Sequence, residues 1–480
     1  MGVSSGGVSN YVNTSSGIAT GVCADNGVSG GGVYVGFEFT PAALFASGSV
    51  GFWHDYTDPT TWFQDTAGST PATALGDPVG RVNDKSGNGI TGLQATSAAR
   101  PTYGRMPFGG VRNQFTYSED FTNAVWSKTR VTLTGDSLYE TATVGSHNLQ
   151  QGSKSVTSGT TQTIEFSLAK GVGTTAPDIV QITFASDGHG LSQYANFNLT
   201  TSQVTFSTGG TATITAEESG WQKCTWTAVA TATTALSAGL LIMCNNDPNA
   251  ARAPSYLGVV TSDVRVRRAQ YQSGALSAYQ KVVQAYDVTE SGVASVDCLW
   301  FDGVDDHLVL TAAGADLARN TGRFTAFGGV NFTKSIATNL LPIFLASSGA
   351  AASNVRVRIA GDTSALQLGA RRLDADTVLV MDGATVQVTF SNTIVAGVFD
   401  YTNADFFLRK DGAVIATDTT TLTDGSTSDT ASLVVYIGRS SSSYFGGFMT
   451  GVITVKATTL SESQLLQTEQ YLGNQIGVTI

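Results

Sequence analysis

Thr163-Ile164-Glu165-Phe166-Ser167-Leu168 alternates polar and apolar side chains, the period of a strand with one face in a core and one outside it. Val355-Arg356-Val357-Arg358-Ile359 repeats the alternation, and Val452-Ile453-Thr454-Val455 is a β-branched run. Gly, Asn and Asp turns separate such segments throughout the chain. Many short strands with few helices predict an all-β sandwich architecture. One helix is expected, at the end, where Ser461 caps a segment with Leu465, Leu466, Thr468 and Leu472 at helical spacing, closing at Gly473 or Gly477.

Working outward from these strands, 480 residues exceed what one hydrophobic core usually serves, so at least two domains are expected. Hydrophobic residues make up 41% of the chain, enough to bury a core. Charged residues make up only 13%, against about 25% in ordinary globular proteins. Residues 1–32 are Gly, Ser, Val and Asn without a usable period, and this segment is expected to be an arm that packs on something else.

The net charge of −11 lacks the basic footprint of a nucleic-acid binder. The runs Arg265, Arg267, Arg268 and Arg371, Arg372 are too short to reverse that, and Arg265 and Arg267 are expected on one solvated strand face. No stretch approaches the roughly 18 apolar residues of a membrane span. The start MGVSSGGVSNYVNTSSG has neither the basic nor the apolar part of a signal peptide. Synthesis and assembly in a host cytoplasm, without membrane insertion, are the expectation. Four cysteines make neither a disulfide scaffold nor a zinc site. Cys224 and Cys244 would face each other if a hairpin turned near Thr234, or would be two small buried thiols, the preferred reading. Cys23, in the arm, is a candidate inter-subunit crosslink.

Two sets of motifs interleave. Asp84-Lys85-Ser86-Gly87-Asn88-Gly89, Gln94-Ala95-Thr96 and Ala99-Arg100-Pro101 are followed about 200 residues later by Leu299-Trp300-Phe301-Asp302-Gly303-Val304-Asp305-Asp306-His307-Leu308. Phe406 to Gly412, Tyr436-Ile437-Gly438-Arg439, Phe445-Gly446-Gly447-Phe448 and Tyr471-Leu472-Gly473 then complete the order. This set resembles the concanavalin A-like, laminin-G-like domains of tailed-bacteriophage virion proteins. Between its halves, Asn113 to Phe121, Ala124-Val125-Trp126, Gly220-Trp221-Gln222-Lys223 and Ala269 to Gly274 are similar to the carbohydrate-binding-like jelly rolls of phage structural proteins. Tyr271-Gln272 departs from the "LE" usual there. The resemblance implies two jelly-roll sandwiches, one inserted in the other: an arm at 1–32, a first part at 33–110, an insertion at 111–285 and a second part at 286–480. Both junctions have turn or polar composition, and a surface loop of a sandwich tolerates such an insertion.

The enzymatic relatives of the concanavalin A-like fold carry Glu-x-Asp-x-x-Glu, because glycoside hydrolysis needs two carboxylates across one bond. That run is absent here. Glu217 and Glu218 are adjacent and would face opposite ways in a strand, while Glu462 and Glu469 are expected in solvated or capping roles. His54, His147, His189 and His307 share no motif, and there is no Gly-x-Ser-x-Gly elbow or phosphate loop. No cofactor is expected. Asp302, Asp305 and Asp306 invite a calcium reading, with a turn stabilised by loop N–H groups as the preferred alternative. Trp221 and Trp226 are the candidate glycan contacts, and their odd separation turns them to opposite strand faces.

The leading expectation is a non-enzymatic virion protein: a neck or collar fibre, a tail-fibre component or a capsid decoration. It would assemble as a homo-oligomer, a trimer by analogy, and bind other virion proteins through residues 1–32. A receptor-binding adhesin for host-surface glycan is the alternative, and a polysaccharide hydrolase the third.

Overall fold

The alternating segment lies inside the strand Thr161–Lys170, where Ile164, Phe166 and Leu168 are fully buried. The computed structural model describes residues 39–480 apart from 110–111, 174–177, 288–293, 312–313, 315, 334–340, 348–353, 360–364, 374–375, 386–391, 429–433 and 441–442. The expected arm at 1–32, with Cys23, lies outside the described residues.

The fold is all-β, with one sandwich inserted in another. Thr161–Lys170 belongs to a six-stranded antiparallel sheet ordered Gly210–Ala216, Gln222–Val229, Thr161–Lys170, Asp263–Ser273, Ser137–Glu140, Val131–Thr134. Facing it is a second six-stranded sheet ordered Gln203–Thr208, Tyr194–Asn198, Ile179–Phe184, Thr234–Met243, His147–Val156, Ser127–Thr129. Phe115, Trp126, Phe166, Phe184, Phe197, Trp226 and Tyr271 fill the space between them.

The outer sandwich is assembled from both ends of the chain. Its eight-stranded sheet joins Val50–Asp55 and Thr102–Pro107 to strands between Ser295–Asp302 and Gly446–Lys456. Its nine-stranded sheet runs from Trp62–Phe63 to Leu379–Thr385. Phe52, Trp62, Phe301, Phe324, Phe344, Phe399 and Phe406 lie in its core, which shares no residue with the inner one. Sheet and core membership change between Pro107 and Phe115, and again between Ser273 and Ser295.

The two chain crossings run side by side. Ser118 N donates to Val282 O at 3.0 Å, and Asn113 Nδ2 donates to Gln280 O at 2.9 Å. The buried Arg112 donates to Ala285 O at 2.6 Å and lies over the Phe448 ring of the outer sheet.

Local chemistry accounts for the motifs. The Asp84 carboxylate accepts from Trp53 N, Ser86 N, Ser86 Oγ and Ile90 N, and Gly87 and Gly89 take the positive φ that the loop needs. Asp84 to Gly89 is thus a clamp on the strand Val50–Asp55. The helix Glu462–Ile476 starts with a Ser461–Gln464 capping box and ends at Gly477 in the left-handed conformation.

The preferred reading of Cys224 and Cys244 as buried thiols holds, the hairpin alternative does not, and two expectations are corrected. Gln222–Val229 and Thr234–Met243 do not form a hairpin but lie in opposite sheets, because Ala228 and Leu241 enter one core from two sides. Cys224 and Cys244 are buried free thiols, and burial pushes both well above the usual thiol range. Glu469 is neither solvated nor a cap: it is fully buried and holds Arg409 through Nε at 3.1 Å and Nη2 at 2.9 Å. Arg265 and Arg267 are half-buried and ion-paired, because Trp221 and two acids occupy their face.

Candidate functional site

The outer face of the inserted sheet carries a concentration of polar and charged groups unusual for a chain so poor in charge. Its exposed edge bears Thr211, Thr213 and Thr215, with Lys223, Thr225 and Thr227 on the next strand, then Thr163, Glu165 and Ser167. Beyond them lie Arg265, Arg267 and Gln270.

Two local features bring these side chains together. A bulge sets Arg267 opposite Ser167 and Gln270 opposite Glu165, and Arg268 takes a φ of 50° there. The extra residue switches parity, so Val264 and Val266 point inward before the bulge and Ala269 and Tyr271 after it. A tight turn closes on the bond from Glu217 N to Trp221 O at 2.7 Å, with Ser219 and Gly220 both at positive φ. It places Glu217 and Trp221 beside the arginines.

The charges form two sets. Around Glu217, Ser167 Oγ donates to the carboxylate, Arg267 Nε donates to Ser167 Oγ at 3.0 Å, and Arg267 Nη2 reaches Glu217 at 3.3 Å. Burial opposes the charged form of Glu217, but the bonds from Ser167 and Arg267 outweigh it and hold the carboxyl below its usual range. Around Glu165, Thr225 Oγ1 donates at 2.8 Å and Lys223 Nζ stands 3.7 Å away. Here burial wins and raises the carboxyl. Arg267 and Arg265 stack over the Trp221 ring at 4.2 and 4.8 Å, and Arg265 also pairs with Asp136 through Nε at 3.0 Å.

The sequence candidates are distributed differently. Trp226 is fully buried between the sheets. Trp221 is on the polar face but only 5% exposed, because the two guanidiniums cover it, so neither indole offers a free ring face. Glu165, Ser167, Glu217 and Lys223 were not foreseen as site residues, although the alternation over Thr163–Leu168 already puts Glu165 and Ser167 opposite Phe166.

Asp302, Asp305 and Asp306 come together in one loop of the outer sandwich, one oxygen of each lying within 4.8 Å of the others. Asp302 Oδ1 accepts from Val304 N at 2.7 Å and from Asp305 N at 3.3 Å, while Asp306 accepts from Asp302 N at 2.9 Å. These are the bonds of a turn. The remaining carboxylate oxygens have the hard character a calcium ion takes. Next to the loop, His307 bonds Asp305 O through Nδ1 at 2.7 Å and meets Arg439 through Nε2 at 3.2 Å. Arg439 lies over the rings of Tyr436 and Tyr444.

No family model matches the chain. No curated protein matches it either. Among solved structures, a CBM40 domain of the Ruminococcus gnavus IT-sialidase bound to α2,3-sialyllactose aligns at 16% identity, covering 32% of this chain and 85% of that one, with a TM-score of 0.27. Domain 4 of AbnA, an extracellular arabinanase from Geobacillus stearothermophilus, in complex with arabinotriose, aligns at 13% identity over 36% and 77% of the two chains, with a TM-score of 0.28. The SAP-like pentraxin of Limulus polyphemus aligns at 16% identity over 31% and 70%, with a TM-score of 0.23.

Proposed function

We propose that the protein is a non-enzymatic, outward-facing component of a tailed-bacteriophage particle. Residues 1–32 attach it, and the inserted sandwich, residues 111–285, binds a host-surface glycan. The observation that carries the binding half is the polar sheet face just described. Sugar hydroxyls both donate and accept hydrogen bonds, and this face offers threonine hydroxyls, two carboxylates and two guanidiniums held in register by one sheet. The virion half rests on the interleaved order of the motifs. Binding suits the site better than turnover, because Glu165 and Glu217 are each tied to their own partners and the Glu-x-Asp-x-x-Glu run is absent.

A glycan array followed by calorimetry on the best ligand tests the binding half. Arg265→Ala and Arg267→Ala should each weaken binding about tenfold or more while circular dichroism stays unchanged, a loss of about 1.4 kcal/mol. Absence of any reproducible glycan, or binding indifferent to both substitutions, would sink the reading. For the virion half, mass spectrometry of purified particles must find the chain.

A further inference from the structure

A sheet edge presents unpaired N–H and C=O groups, and proteins blunt such edges with bulges, proline, charge, short strands or a covering loop. The described edges of this chain use these devices in turn. Gln203–Thr208, Ala413–Asp418 and Leu379–Thr385 each pair with their neighbour through a bulge. Thr102–Pro107 carries Arg105 and ends in proline. Ser127–Thr129, Val131–Thr134 and Trp62–Phe63 have three, four and two residues. Val50–Asp55 is covered by the Asp84 loop, with Lys85 N bonded to Trp53 O at 2.9 Å.

Gly210–Ala216 has none of them. This edge runs seven residues, Gly-Thr-Ala-Thr-Ile-Thr-Ala, without charge or proline. Its register with Gln222–Val229 is unbroken from Gly210↔Ala228 to Ala216↔Gln222. Thr211, Thr213 and Thr215 are exposed on the outer face, while Ala212 and Ile214 pack against the core.

The strand is also complementary to itself. Laid antiparallel against a copy about an axis at Thr213, it sets Thr211 opposite Thr215, Thr213 opposite Thr213 and Ala212 opposite Ile214. Polar then meets polar on the outer face and apolar meets apolar on the inner one. Thr–Thr pairs are favourable cross-strand neighbours, and an isologous contact of this kind closes as a dimer.

We propose that a second copy of this chain pairs with the edge strand Gly210–Ala216, antiparallel and about a two-fold axis at Thr213. The two six-stranded sheets become one continuous sheet. Two polar faces then stand side by side, an arrangement that gives avidity if the glycan reading above holds. The pairing itself does not depend on that reading.

Light scattering and equilibrium sedimentation of the full chain over a wide concentration range test this. The wild type should show a monomer–dimer equilibrium. Thr213→Lys and Thr213→Glu place like charges face to face at the axis and should each weaken association about tenfold or more, with the thermal midpoint of the dilute monomer unchanged because Thr213 is exposed there. An equimolar mixture of the two variants should restore the dimer. Removing residues 1–38 should leave association intact. A wild type that stays monomeric throughout, association that ignores both charges, or a dimer lost with residues 1–38 would each overturn the proposal. None of these outcomes depends on glycan binding, so the two readings fail separately.

Discussion

Two of the arginine–glutamate pairs among the described residues differ in one respect. Arg409 and Glu469 are 2% and 0% exposed, with Nε and Nη2 both engaged, and they fasten the terminal helix to the strand Asp405–Lys410 of the outer sandwich. Arg267 and Glu217 are 26% and 17% exposed and belong to a face that nothing among the described residues closes over. Identical chemistry serves as a buried fastener in one place and lies open to solvent in the other. Solvent access decides which, because water screens the exposed pair and leaves the buried one with no substitute partner.

The largest effect should come from breaking the buried pair. Arg409→Met leaves Glu469 as an uncompensated buried carboxylate and should cost about 3–5 kcal/mol in denaturant unfolding. Arg409→Met with Glu469→Leu should recover most of that loss, since an apolar pair of similar volume replaces both charges. If the single substitution costs no more than a surface pair, the contrast between the two sites collapses.

Lys154 supplies a third case, a cation almost as buried as Arg409 whose described partners are Gln114 O at 2.6 Å and Gln151 Oε1 at 2.7 Å. Burial pulls its amine down to about 7, with the nearby Arg112 adding to the effect. Below about pH 7 both folded and unfolded states are charged and the full penalty of burial is present. Between about 7 and the ordinary lysine value near 10.4 the unfolded chain holds the extra proton, so stability rises with pH. Lys154→Met removes that dependence. Its unfolding free energy relative to wild type should therefore fall by on the order of a few kcal/mol between about pH 6 and pH 10. A constant difference would show that Lys154 does not titrate abnormally.

Much of this architecture was legible in the sequence, and the part that was not has a physical cause. Alternation such as Thr163–Leu168 reads directly as strands because side-chain direction repeats every two residues. The cap at Ser461 and the turn at Asp302-Gly303 are local chemistry and read equally well. The bulge at Arg268 reverses parity without any local warning, so the joining of Gln270 to Arg265 and Arg267 on one face was hidden. Trp221 looked like a sugar platform because indole faces stack on sugars. What covers it comes from Asp263–Ser273, more than forty residues away, and only the sheet pairing brings that strand there. Glu469 was misjudged for the same reason, since its partner lies 60 residues earlier.

The smallest effect on stability sharpens the comparison from the exposed side. Arg267→Ala should cost no more than about 1 kcal/mol, the usual worth of a solvent-accessible pair, so a loss as large as that at Arg409 would mean that the face is structural. The substitution should nevertheless be visible at Glu217. Burial already disfavours the charged carboxylate, and Arg267 is one of three partners, with Ser167 and Lys223, that reverse this. Without it, the Glu217 carboxyl should titrate at higher pH than in wild type, as followed by carboxyl-carbon NMR. The wild-type carboxyl lies below its unfolded value, so its contribution to stability is present above that value and fades as pH falls through the folded one. In Arg267→Ala this acid-side loss should shrink or vanish. Glu165, raised mainly by burial and bonded to Thr225 rather than to Arg267, should move less than Glu217, since only the Glu217 charge and the shared Lys223 link the two.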